Sequence, residues 1–125
     1  MSESDETISV KLSDEERLLL ASGLLEWVGP AHCSDAMAVA LGFDGVEHLL
    51  VEGDRISKDL SKRLPLSRRD WTRALLATEV AFASDVVGSG RDWEITTGLD
   101  DRSTIQVLRS VQLRLVSVVV RPHRS

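Results

Sequence analysis

The chain has a single cysteine, Cys33. That excludes an intrachain disulfide and any zinc site built from four cysteines. Long hydrophobic runs are also missing: Leu18–Leu25 and Leu115–Val120 are the most apolar stretches, and a membrane-crossing helix needs ~20 residues. Met1 to Thr7 is acidic where a secretory leader is basic, so no leader is expected and a reducing cytoplasm is the expected compartment. No internal repeat is visible, and no low-complexity tract beyond the first few residues. Positive charge is in short supply, with 15 Lys and Arg against 20 Asp and Glu and a net charge of −5. Such a balance disfavours generic nucleic-acid binding, because neutralising phosphates takes a basic surface. No aromatic is interleaved with the bases, which argues against stacking on single strands.

What is present suits an ordinary folded protein. The 125 residues are 42% hydrophobic and 28% charged, enough to build one core. The expected organisation is a loose acidic lead-in over 1–11, a single all-α domain over 12–120 and a loose basic tail over 121–125. Charge divides unevenly along the chain. Residues 1–59 hold thirteen acids and four bases, and residues 60–125 hold seven acids and eleven bases. The second half could therefore form a basic face despite the acidic total.

Capping signals divide the chain into five helices, which predicts a compact bundle of four to five helices with one long ordered loop. Ser13 and Glu16 form a capping box, because hydroxyl and carboxylate satisfy orphan N–H groups reciprocally. Behind it Leu18, Leu20, Ala21, Leu24, Leu25, Trp27 and Val28 fill one broad side. Glu15, Glu16, Ser22 and Glu26 are expected on the other side. A short helix runs from the cap Ser34 to Leu41, with Gly42 as its left-handed end. Asp44 is the expected cap of a third, whose seam is Val46, Leu49, Leu50, Gly53, Ile56 and Leu60. Gly53 costs about 1 kcal/mol of helix propensity and suggests a close helix approach or a break. Leu64-Pro65 ends that helix. Ser67 and Asp70 open a fourth, from Arg68 to about Val86. An eleven-residue connection, Gly88 to Gly98, follows. Asp100 caps the last helix, where Ile105, Leu108, Val111, Leu115, Val118 and Val119 line one side and Arg102, Gln106, Arg109, Ser110 and Arg114 the other. The β-branched stretch from Val116 to Val120 reads equally as fraying helix or extended chain.

Five features carry candidate chemistry. Glu79 falls among Trp71, Leu75, Leu76, Thr78, Val80, Phe82, Ala83 and Val86 on the apolar arc of the fourth helix. A carboxylate there needs a partner, since an unpaired buried charge costs several kcal/mol or takes up a proton. Arg55, the indole of Trp93 or backbone N–H groups of the 88–98 loop are the expected partners. The favoured reading is a structural anchor; the functional one is a small-ligand pocket around Glu79 and Trp93. The loop itself, with Arg91, Asp92, Trp93 and Glu94, suits an interface, although a self-packed Ω-like plug is the more economical account. Its Gly88-Ser-Gly90 is no dinucleotide fingerprint: tryptophan stands at position 93, and acids there would repel a phosphate. The turn around Gly42 resembles half a helix-turn-helix, but the following helix carries Glu47, Glu52 and Asp54, the wrong sign for DNA. Cys33 sits just before a helix start, which can lower a thiol pKa, yet neither His32 nor His48 completes a convincing pair. Finally, Lys62, Arg63, Arg68, Arg69, Arg73 and the outward arginines of the last helix form a candidate basic patch for RNA, an acidic protein or the chain's own N-terminal half.

No convergent acid, base, nucleophile or metal set emerges, so neither catalysis nor a cofactor is expected. The expected function is a small interaction or regulatory protein that binds another protein, one with a basic surface, through charge; a neutralising, immunity-type inhibitor fits that description. A helix-turn-helix-like nucleic-acid module and the Glu79–Trp93 ligand pocket are the alternatives. Self-association is a further open alternative, and a membrane is not expected to be a partner.

Overall fold

The computed structural model describes residues 6–28, 33–83 and 101–119. Among them five helices pack together: α1 (Asp14–Val28), α2 (Asp35–Ala40), α3 (Val46–Ser61), α4 (Arg68–Ala83) and α5 (Asp101–Leu115). The only pairing of strands among these residues joins β1 (Thr7–Ile8) to β2 (Leu66–Ser67), antiparallel, with Thr7 opposite Ser67 and Ile8 opposite Leu66. The architecture is all-α, as the capping signals and periods predict.

Helix α1 is the axis of the bundle and touches α3, α4 and α5. A helix surrounded by others buries more than one stripe, which corrects the sequence reading of its faces. Leu19, Leu20, Ala21, Leu24 and Trp27 are buried, but so are Glu16, Ser22 and Glu26, the residues expected outside. Leu18 and Leu25, expected inside, are 47% and 41% exposed. The capping box forms in both directions: Ser13 N donates to Glu16 Oε1 at 2.7 Å and Glu16 N to Ser13 Oγ at 3.1 Å.

At the crossing with α4 the two backbones come close. A Cβ on Gly23 would lie 2.6 Å from Thr78 Cα, closer than real Cβ contacts allow. Opposite it, α4 presents Ala74, Ala77, Thr78 and Ala81, all fully buried. Trp27 Nε1 donates to Ala77 O at 2.9 Å across this contact. Gly53, the glycine that the sequence singles out, is buried within an unbroken α3.

Residues 6–11, the described part of the expected loose lead-in, are held against the bundle. β1 pairs with β2, Trp71 Nε1 donates to Ile8 O at 2.8 Å, and Leu12 is buried. The N-terminal stretch thus covers the start of α4.

Caps decide the remaining ends. Ser34 Oγ accepts from Met37 N at 3.1 Å, opening α2, and Gly42 takes φ +100° beyond its end. α3 is capped from outside: Val46 N donates to Asp35 Oδ1 at 2.9 Å, and the N-cap position is Gly45, not Asp44. α3 closes with Leu64 N donating to Asp59 O and Arg63 N to Leu60 O. That pattern puts Arg63 at φ +61°, the position where glycine is usual. Ser67 Oγ accepts from Asp70 N at 3.1 Å at the start of α4. After α5, Val118 N and Val119 N both donate to Leu115 O, so 116–118 are a turn and not a strand. Residues 84–100, including the Gly88–Gly98 connection, and the tail from 120 lie outside the described residues.

Candidate interaction faces

Glu79 is only half-buried, and its carboxylate accepts from Gln112 Nε2 at 2.6 Å. This corrects both its depth and the expectation of Arg55 as partner; the contact ties α4 to α5. The apolar arc is rotated from the one read in the sequence because small residues face α1 while Leu76, Val80 and Phe82 lie at its margin. Arg91, Asp92, Trp93 and Glu94, and with them the pocket reading of Glu79 with Trp93, lie outside the described residues.

Arg55 belongs to a different network, which sequence reasoning missed. Its guanidinium donates to Glu52, Asp59 and Asp70 at 2.8, 3.2 and 2.7 Å. Burial pulls that guanidinium down, but the bonds to Asp70 and Glu52 more than reverse the effect and raise it above the ordinary arginine value. Asp70 also accepts from Arg73 Nη1 at 3.1 Å. Arg73, with its side chain 9% exposed, donates from Nε to Gly42 O at 2.8 Å and lies 4.8 Å over the Phe43 ring. Two arginines on one aspartate therefore bolt the α2–α3 turn onto α4. The sequence signal was there: Asp70 and Arg73 are three apart, the spacing of helical neighbours.

A second polar hub sits at the start of α1. Glu16 accepts from Ser110 Oγ at 2.6 Å and Arg114 Nε at 2.9 Å, besides its own cap. Burial raises its carboxyl, but the hydrogen bonds from Ser110, Ser13 and Arg114 outweigh that and leave it below the ordinary glutamate range.

Next to these hubs lie two polar clefts, of about 200 Å³ between α1 and α5 and about 250 Å³ beside β2. Most of their charged groups are already engaged, by Ser110 and Arg114 around Glu16 in the first and by Arg55 with Asp59 and Asp70 in the second; Glu15, on the rim of the first, is exposed.

The basic patch loses several of its members, while Lys62, Arg69, Arg102 and Arg109 stay exposed. Arg73 is buried, Arg63 pairs with Asp14, Arg68 donates to Val118 O at 3.1 Å and Arg114 serves Glu16. Of the three partners read for that patch, the chain's own N-terminal half receives Arg63 and Arg114. The thiol reading is reversed as well: burial and the negative charge of Asp35 push Cys33 up, away from thiolate. His48 Nδ1 accepts from Asp44 N at 3.0 Å, and its ring meets Phe43 edge-on at 5.8 Å. His32 lies outside the described residues. Among the described residues no group of three or more His, Cys, Asp or Glu could hold a metal ion, and no helix is long and apolar enough to cross a membrane.

Two helices carry apolar side chains beside charges on their outer sides. On α3, positions 47, 50, 51 and 54 share one side. Leu50 is 38% and Val51 66% exposed, between exposed Glu47 and Asp54, whose side chain is 48% exposed and pairs with Lys58 at 2.9 Å. Asp44, 93% exposed, extends the acidic end. On α5, Arg102, Ile105, Arg109 and Leu113 share one outward side, all exposed, and exposed Val116 follows in the turn beyond its end. Thr104, Val111 and Leu115 are buried on the other. Comparison with protein-family models, with curated proteins and with solved structures finds no match to this chain.

Proposed function

We propose that this protein is a protein-docking module whose outward α3 face takes a positively charged surface of a partner. The observation that carries this reading is the pair Leu50 and Val51, held in solvent between Glu47 and Asp54. An apolar centre with a charged rim is the anatomy of a protein interface. Acids at the rim speed encounter with a basic surface and reject an acidic one. They also oppose the nucleic-acid alternative, since this is the helix that would meet phosphates in a helix-turn-helix. Neutralising a basic protein is one role such a face serves.

The test is a photoreactive residue in place of Val51, activated in cells of the native host. Adducts with a basic surface, lost on Glu47→Lys with Asp54→Lys, support the reading. An absence of adducts, or adducts indifferent to that charge reversal, sinks it.

A further inference from the structure

We infer that the basic surface taken by α3 is α5 of a second copy of this chain; the inference rests on the docking role of α3 proposed above. The three most exposed large hydrophobic side chains among the described residues are Leu113 at 75%, Val51 at 66% and Val116 at 64%. Val51 and Leu113 lie on these two faces, and Val116 follows Leu113 in the turn at the end of α5. An amphipathic helix that leaves such side chains in water has an unfilled contact.

Charge and spacing identify the occupant. Glu47 and Asp54 are seven residues apart on α3, and Arg102 and Arg109 are seven apart on α5. Seven residues are two helical turns, ~10.5 Å of rise, so both pairs come into register together. Leu50 and Val51 lie between the acids, and Ile105 lies between the arginines. Neither Arg102 nor Arg109 meets an acid among the described residues, and no acid follows Asp101 in the sequence.

Orientation follows from what lies beyond the matched pairs. Run antiparallel, Arg109 meets Glu47 and Arg102 meets Asp54. Leu113 and Val116 then extend past Glu47 toward the α2–α3 corner, where Val39 is 58% exposed. Run parallel, Leu113 falls against Lys58. The antiparallel arrangement also sets opposite helix dipoles side by side. The contact joins two different faces, so it propagates as a ring or an open chain unless a two-fold axis closes it.

Sedimentation velocity over a concentration series tests this directly. The chain is expected to gain mass with concentration, less so at high salt. Glu47→Arg with Asp54→Arg, and separately Arg102→Glu with Arg109→Glu, each weaken self-association ~10-fold or more; Leu113→Asp does the same without reversing a charge. The decisive sample is the equimolar mixture of the two charge-reversed proteins, which recovers association because each now complements the other. All these side chains are exposed, and circular dichroism of each variant confirms that the helices are kept. A chain that stays monomeric at every concentration overturns the inference, as does association that ignores both reversals or a mixture that does not recombine. If the chain is monomeric while Val51 still crosslinks to a foreign basic protein, the docking face stands and only the second copy is lost. Absence of any Val51 adduct removes both.

Discussion

A carboxylate taken out of water needs donors, and Glu16 collects them from its own cap, from Ser110 and from Arg114. Hydrogen bonds to a charged group contribute about 1.5–3 kcal/mol each when buried, so Glu16→Gln is expected to cost ~2 kcal/mol at neutral pH. The folded carboxyl titrates below its ordinary value. Its contribution is therefore complete above the ordinary glutamate range and disappears as pH falls through the lower, folded value. Denaturant unfolding across a pH series checks this. The wild type should lose more stability on acidification than Glu16→Gln, and parallel curves would show that the charge does nothing. The capping role of Glu16 is legible from Ser13 three residues earlier. Its burial is not, because the covering side chains come from 94 and 98 positions downstream. Glu79 shows the reverse error. Its neighbours on α4 are apolar, yet α1 approaches the alanine side and leaves the carboxylate at the margin, beside Gln112.

At the scale of elements, small residues decide the geometry. Where Gly23 faces Thr78 there is no room for another carbon, because the nearest obstacle includes backbone. Overpacking a helix crossing costs up to about 3 kcal/mol, and Gly23→Ala is expected at that upper end despite alanine's better helix propensity. A lowered thermal midpoint with helical content intact below it is the expected signature; an unchanged or raised midpoint would mean that α1 and α4 part easily. The sequence reading singles out Gly53 and passes over Gly23, although both are glycines inside a helix. Only the crossing shows which of them is a point of contact. The turn between α2 and α3 is similarly decided by a distant side chain, since Arg73 of α4 bonds Gly42 O and roofs Phe43.

For the whole molecule, the imbalance between an acidic first half and a basic second half is partly settled within the chain, by one exposed pair and one at a buried carboxylate. Asp14 meets Arg63 and Glu16 meets Arg114, each linking the two halves. Charges left over face outward on different helices, acids on α3 and arginines on α5. Salt therefore acts unequally. Between 0.1 M and 1 M the screening length falls from ~10 Å to ~3 Å, which affects exposed pairs far more than buried ones. The denaturation midpoint in urea is expected to move little over that range, while self-association collapses. A large loss of stability with little change in mass would invert this assignment of inner and outer charge.

The sequence by itself determined where the helices lie, because most caps and turn residues act over a few residues; the start of α3, capped by Asp35 of α2, is the exception. Ser13 with Glu16, Ser34, Gly42 and Ser67 all work where their spacing puts them. It also determined that the fold is all-α. Which side of each helix is inside was settled by the tertiary structure alone. α1 lies at the centre and so buries Glu16, Ser22 and Glu26 along with Leu19, Leu20 and Leu24; β1 closes over α4; and Arg63, Arg68, Arg73 and Arg114, which look like part of one patch, are drawn to separate acids and carbonyls. Burial is a property of neighbours, and here those neighbours are supplied by segments tens of residues away.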